Sequence, residues 1–280
     1  MTTRPVTTPP ILLTGGTGTL GRHVLPLLRA TGHDVRVLSR HPHPNPHPSP
    51  HPLTDDQAPV QYVTADLLKN DVGDGIQAAV DGTEIVLHLA GGPKGDEVAT
   101  RNLVRAASRA GVKHLVFISV IAADRVPLGY FTSKLAAEEA VAASGVPWTT
   151  LRAAQFHDLL LTVVEKMAKL PVIPVPGLRL QPVDSREVAA RLVELTLDKP
   201  AGLVPDLAGP KVYESADAIR AYLRATGRKR PLLPVRMPGK AGRVYRADGN
   251  LSLEGTDFGT RTWEEFLEGR FLTDAAPPRP

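Results

Sequence analysis

Tyr130 and Lys134 stand four residues apart in the run Tyr130-Phe131-Thr132-Ser133-Lys134. On a helix this spacing puts both side chains on one face. An ammonium beside a phenol favours the phenolate and lowers the phenol pKa from its usual value of about 10. Such a tyrosine can pass a proton to a carbonyl oxygen while hydride reaches the carbon. Ser119 closes the apolar run just upstream, 115–119, where its hydroxyl can hold the same oxygen. The chain has five tyrosines, and none of the other four has a lysine four residues on. The competing explanation is an ordinary surface Tyr–Lys pair.

A second constellation lies near the start. Thr14-Gly15-Gly16-Thr17-Gly18-Thr19-Leu20-Gly21 follows an apolar run and precedes a helical pattern. Glycine at 15, 18 and 21 permits a tight turn, close approach of backbone to a pyrophosphate, and close packing of the helix on a sheet. The amides and positive dipole end of that helix suit phosphates. The loop residues Gly15, Thr17, Gly18, Thr19, Leu20 and Gly21 are therefore candidate dinucleotide contacts.

The next strand ends Leu38-Ser39-Arg40, where NAD-binding sheets carry an acid for the ribose 2′-hydroxyl. An arginine there offers a bidentate site for a 2′-phosphate and favours NADP(H) over NAD(H). Arg22 either assists or faces solvent. Asp66, with Leu67 beside it, either accepts from the adenine amino group or caps a helix. Leu89, Ala90 and Gly91 are small enough at a strand end to let a cofactor pass over the sheet edge.

These residues need elements to carry them. Strands are predicted at 10–14, 34–39, 60–65, 84–90, 113–119 and 147–153, several of them continuously apolar as strands buried on both faces are. Helices are predicted at 19–31, 96–110 and 130–144, each stopping at a glycine: Gly32, Gly111 and Gly145. This alternation predicts an α/β fold, a doubly wound parallel sheet with helices on both faces. Later come helices at 156–169, 185–197, 214–226 and 262–268, a turn-rich connector at 171–177, a strand near 203–207 and a basic turn, GRKR, at 227–230. Two regions are expected: a nucleotide-binding domain over 1–153 and a smaller substrate lobe over 154–280, with 179–197 packing back on the first. The stretch 40–59 alternates proline with His, Asn and Ser, which suits neither helix nor ladder. Its four histidines read as a solvated low-complexity loop rather than a metal site.

The 280 residues include 33 Lys and Arg against 29 Asp and Glu, a formal charge of +4, and no cysteine. A disulfide scaffold, a thiol nucleophile, an iron–sulfur cluster and a Cys-type zinc site are thereby excluded. No apolar run reaches the ~20 residues of a membrane span. The chain opens without an apolar signal core, so a cytoplasmic location is expected. Neither membrane nor nucleic acid is expected as a partner; a small-molecule substrate is.

Taken together, TGGTGTLGRH (14–23), VTADL (63–67), RNLVRAASRAGVKHLVFIS (101–119), YFTSKLAAEE (130–139), QPVDSREVA (181–189) and TWEEFL (262–267) resemble the short-chain dehydrogenase/reductase superfamily, and within it the atypical NmrA-like NAD(P)H-binding branch. The resemblance implies a Rossmann-like fold with a small C-terminal substrate lobe. It implies that Ser119, Tyr130 and Lys134 form the catalytic triad, with Lys134 also holding the nicotinamide ribose. It matches Asn102 to a helix asparagine that completes a proton relay, against an ordinary polar helix position. The gap from Ser119 to Tyr130 is shorter than in the main branches, and the His–Pro insertion sits beside the 2′-phosphate site. Related proteins often pair through the helices corresponding to 96–110 and 130–144, so a homodimer is open.

Phe156, His157 and Leu160, with Met167 and 172–178, either line the substrate site or form the lobe's own core. Their apolar character favours an apolar or aromatic carbonyl or quinone over a sugar nucleotide. The expectation is an NADP(H)-dependent oxidoreductase with Tyr130 as proton donor. The alternatives are a redox-sensing NADP(H)-binding regulator without turnover and a sugar-nucleotide epimerase or dehydratase, which would prefer tightly held NAD.

Overall fold

The computed structural model describes residues 9–42, 60–69, 75–92 and 94–271. Of the His/Pro stretch only its first residues, Arg40 to Pro42, fall inside these ranges; His43, His47 and His51 lie outside the described residues.

The chain forms two compact units. The first comprises residues up to Ser119 together with 133–151 and 189–204. Its elements are β1 (Ile11–Thr14), α1 (Gly21–Ala30), β2 (Val35–Ser39), β3 (Val60–Thr64), α2 (Gly75–Val80), β4 (Ile85–His88), α3 (Asp96–Ala110), β5 (His114–Val120), most of α4 (Gly129–Ala142) and most of β6 (Trp148–Ala153). The strands lie in the order β6-β5-β4-β1-β2-β3, and β1 pairs in parallel with both β2 and β4. The chain thus runs outward from β1 to β3 and then crosses back to β4. The carboxyl ends of β1 and β4, where the order reverses, are where such sheets bind ligands.

Both faces of this sheet are covered, which is why its strands read as apolar without alternation. Leu12, Val86, Leu115 and Phe117 enter one cluster with Leu103 and Ala107 of α3 and Ala137 and Val141 of α4. Leu13, Val37, Leu87 and Val116 are buried on the opposite side. Helix α3 shows why local sequence defines its ends. Asp96 and Glu97 stand in its first turn, where the helix dipole favours acids, and Gly111 at φ +70° closes it with its amide on the Ala107 and Ser108 carbonyls.

The second unit holds 120–132, 152–188 and the residues from Pro205 on. The elements after β6 are α5 (His157–Met167), β7 (Ile173–Pro176), β8 (Arg179–Leu180), α6 (Ser185–Leu197), β9 (Gly202–Leu203), β10 (Asp206–Ala208), β11 (Tyr213–Glu214), α7 (Ser215–Ala225), β12 (Leu232–Val235), α8 (Gly239–Arg246), β13 (Thr256–Phe258) and α9 (Trp263–Phe271). The core of the second unit joins Leu160 and Val164 of α5, Ile173 and Val175 of β7, Ile219 and Tyr222 of α7, and Trp263 and Leu267 of α9. Strands β10 and β13 pair in parallel, and Leu207 stands opposite Ala153.

Two features depart from the sequence reading. The chain does not divide at a single point after 153: residues 120–132 belong to the second unit and 189–204 to the first. And 171–177 is not merely a connector. It contains β7, paired in parallel with β12 from Leu232↔Ile173 to Val235↔Pro176. A proline-bearing strand is tolerated here because Ile173 and Gly177, not Pro174 and Pro176, donate across the pair, to the Pro231 and Val235 carbonyls.

Candidate active site

The glycine loop leaves β1 and enters α1 as its composition demands. Gly15 has φ +71°, and a Cβ on it would lie 2.7 Å from the Ala90 amide nitrogen. A Cβ on Gly21 would run into the Gly15 carbonyl and the Gly16 backbone. Both glycines are therefore required by the fold itself. Gly18 differs: its amide closes a turn on the Gly15 carbonyl at 3.0 Å, and that oxygen, 3.3 Å away, is all that a Cβ would meet. No side chain caps the N-terminus of α1, and no acid stands in its first turn. A cradle closed to side chains at two glycines, with a third whose Cβ would press only on the Gly15 carbonyl, at a helix start with no side-chain cap among the described residues, fits a dinucleotide pyrophosphate.

Beneath the loop lies a polar chain that the sequence reading missed. The Thr14 hydroxyl meets His88 Nδ1 at 2.7 Å and also accepts from the Ala90 amide at 3.1 Å, while His88 Nε2 meets the Thr100 hydroxyl at 3.0 Å. One ring nitrogen therefore donates and the other accepts, and either tautomer lets both threonine hydroxyls meet the ring. Burial pushes the His88 pKa down to about 3, with the Lys134 charge acting the same way. The imidazole is a neutral strut that ties the ends of β1 and β4 to α3.

Lys134 is buried and ion-paired with Asp96 at 3.0 Å, both side chains almost wholly enclosed. Its ammonium also donates to the Ile118 carbonyl at 3.4 Å and lies 5.1 Å from the centre of the Phe117 ring. Asp96 accepts in turn from the Gly92 amide at 2.6 Å. Gly91 covers the pair: a Cβ there would come within 3.2 Å of both the Lys134 nitrogen and an Asp96 oxygen. A ligand passing over Gly91 therefore meets a charge-compensated lysine. Asp96 was not among the predicted site residues. An acid opening a helix reads as a dipole partner, and its lysine lies on another helix.

Tyr130 and Lys134 both fall on α4, one turn apart as the spacing predicts. Tyr130 stands in the first turn, 40% exposed, edge-on to Phe131 at 5.6 Å. Ser119 is buried near the end of β5, two residues from Phe117 and so on the face that α4 covers. Its hydroxyl has no hydrogen-bond partner among the described residues. An unmet buried hydroxyl costs about 1–3 kcal/mol, which makes it a natural place for a ligand oxygen.

The remaining predicted residues are placed as follows. Arg40 follows β2 and is exposed, and Arg22 is exposed on the first turn of α1. Asp66 accepts from the Leu68 amide at 3.0 Å, so it caps its own turn. Asn102 is not joined to the Lys134 pair: its amide donates to the Leu67 carbonyl at 2.8 Å and pins that turn to α3. Leu89 and Ala90 are half-buried beside the loop. In the second unit, Leu160 is a core residue, and His157 is fully enclosed, 5.7 Å from the Trp263 ring and 5.1 Å from that of Phe266. The apolar stripe of α5 turns both inward, so neither faces a ligand from a surface. Phe156 is half-buried and bridges to Val183. Among the described residues no group of three or more metal-binding side chains occurs, and no helix is long and apolar enough to cross a membrane.

A doubly wound sheet with a glycine loop at its switch point is the architecture of nicotinamide-dinucleotide-binding proteins. The chain belongs to the NAD(P)H-binding family, whose model matches residues 15–196, in keeping with the resemblance drawn from its motifs. It is 28% identical over 230 residues to the (4-alkanoyl-5-oxo-2,5-dihydrofuran-3-yl)methyl phosphate reductase of Streptomyces griseus, covering 78% of this chain and 74% of that protein. It is 30% identical over 147 residues to quinone oxidoreductase 2 of Escherichia coli, covering 51% of this chain and 47% of that protein. In fold it is similar to the NADPH-dependent quinone oxidoreductase of Escherichia coli complexed with NADPH, with a TM-score of 0.73 at 19% identity over 93% of this chain and 99% of that one.

Proposed function

We propose that this chain reduces a carbonyl or quinone on a small, largely apolar or aromatic molecule, with NADPH as reductant and Tyr130 as proton donor. The observation that carries this reading is the placing of Tyr130 and Lys134 one turn apart on α4, with the phenol accessible. Two relatives that act as reductases, one on a furanone phosphate and one on quinones by their names, support it.

In this reading the glycine loop and the start of α1 hold the pyrophosphate, and Arg40 binds the 2′-phosphate. The bound nicotinamide supplies the hydride. The Tyr130 hydroxyl gives its proton to the carbonyl oxygen as that oxygen gains charge, and the Ser119 hydroxyl donates a hydrogen bond to it. Lys134, held by Asp96 under Gly91, contacts the cofactor ribose.

Replacing Tyr130 by Phe tests the mechanism. Turnover should fall by about 10²–10⁴, with NADPH affinity within about twofold; an undiminished rate sinks the assignment. Arg40→Ala should weaken NADPH binding far more than NADH binding, and equal weakening removes the 2′-phosphate role.

One observation favours the runner-up, a cofactor-sensing regulator without turnover. Asp96 already neutralises Lys134, which leaves less positive charge for a phenol or a developing oxyanion to use. Tight NADPH binding with no consumption across a panel of quinones and aryl ketones would select that reading.

A further inference from the structure

The basic turn at 227–230 plays no part in the chemistry above. It belongs to a longer feature: residues 218–247 carry nine Lys and Arg and no Asp or Glu, so the rest of the chain is net negative. Eight of the nine, from Arg224 to Arg246, are exposed in the second unit without a carboxylate partner among the described residues. The middle of this run is β12.

Among the described residues strand β12 pairs only with β7, and the two make a two-stranded sheet. Its inner face, Leu232 with Ile173 and Val175, packs into the core of the second unit. Side chains alternate along strands, so Leu233 and Val235 point the other way. They stand in register with Pro174 and Pro176, and are 54% and 37% exposed. Leu170 and Val172 extend the same apolar character just before β7, both more than two-fifths exposed. Cations bracket this face. Arg228, Lys229 and Arg230 precede β12, the Ile173 amide bonds to the Pro231 carbonyl beside them, and Arg236 follows the strand.

We propose that the outer face of the β7–β12 pair docks on an anionic lipid bilayer surface, with Leu233 and Val235 entering the headgroup boundary and the flanking cations meeting lipid phosphates. Aliphatic side chains between runs of unpaired Lys and Arg are what such surfaces bind: apolar burial and attraction to anionic lipid add. A second copy of the chain does not suit this face, because two such positive surfaces repel. Nucleic acid suits it less well, since base stacking needs exposed aromatic rings, and the tyrosines of this run, Tyr222 and Tyr245, are buried. The lack of a spanning helix bears only on crossing the bilayer, not on lying against it.

The test is co-sedimentation of the full chain with phosphatidylcholine vesicles, with and without about 30% phosphatidylglycerol, at low and high salt. The protein should partition onto the phosphatidylglycerol vesicles, not onto phosphatidylcholine alone, and should be released as salt rises. Each cation removed should weaken partitioning about fivefold, so R228Q/K229Q/R230Q together should weaken it on the order of a hundredfold. L233S/V235S should weaken it about tenfold. Both variants should keep the parent's thermal midpoint and NADPH affinity, which separates lost docking from lost folding and from failure of the reductase reading. Equal binding to both vesicle types, or to neither, overturns the proposal. So does tighter binding to duplex DNA that L233S/V235S leaves unchanged, which would assign the face to nucleic acid.

Discussion

His88 and His157 are both fully enclosed, one in each unit, yet their surroundings differ in kind. Both nitrogens of His88 are engaged, by Thr14 and Thr100, and its ring stacks on Phe117 at 5.3 Å. His157 is packed by Trp263 and Phe266; neither nitrogen has a side-chain partner among the described residues, and the Pro182 carbonyl is its one backbone contact. Burial lowers the pKa of each. For His157 it is opposed by Asp184, the nearby Pro182 carbonyl, Glu187 and Asp158. The first imidazole is part of a framework that joins the two strand ends under the glycine loop. The second fills space. The same residue type, buried alike, is a connector in one region and packing in the other, and only its neighbours tell which.

The largest expected effect concerns the buried ion pair of the first unit. Asp96→Leu would leave the Lys134 ammonium buried and unpaired, and should cost about 3–5 kcal/mol in denaturant unfolding. Adding Lys134→Met should recover much of that loss. A single-variant loss under about 1 kcal/mol would mean that the pair is not closed in solution.

The histidines themselves come next. His88→Phe should cost about 2–4 kcal/mol, because two threonine hydroxyls are left without their partner. His157→Phe, which gives up only the contact to the Pro182 carbonyl, should change stability by less than about 1 kcal/mol or raise it. Equal costs would erase the contrast between the regions.

The pH dependence should be smaller per pH unit. A histidine whose folded pKa is depressed is held neutral by folding. Its contribution is present above the unfolded value of about 6.5 and is lost as pH falls toward the folded value, which for His88 is about 3. Stability should therefore fall by about 1.4 kcal/mol per pH unit for His88 below 6.5, with His157 and His114 acting in the same direction. His88→Phe should flatten this slope more than His157→Phe, and an unchanged slope in both would reject the assignment.

The smallest effect on stability belongs to Gly18→Ala, whose Cβ would press only on the Gly15 carbonyl oxygen, at 3.3 Å. The melting point should move by only a few degrees while NADPH affinity drops. A collapse of the fold would make Gly18 a packing glycine like Gly21.

Much of the framework was legible because its signals are local. The glycine loop, the apolar strands β1 to β6 and the glycine-stopped helix α3 follow from backbone freedom, burial on both faces and helix ends. These effects act over a few residues. The strand β7 was read as a turn because prolines usually break ladders, and its partner lies 59 residues on at Leu232 by register with Ile173. Asn102 was read by resemblance as part of a proton relay, whereas its amide holds Leu67; nothing in the helix pattern distinguishes these uses.

By itself, the sequence determined the α/β sheet with its cradle for a dinucleotide and the Tyr130–Lys134 spacing on one helix face. Tertiary structure alone decided that Lys134 is neutralised by Asp96, that Thr14 meets a histidine 74 residues away, and that β12 sets two aliphatic side chains among unpaired cations. The physical reason is one of range. Backbone conformation is set by neighbours in the chain, whereas the partner of a buried charge or the outer face of a strand is set by whatever the folded chain brings against it.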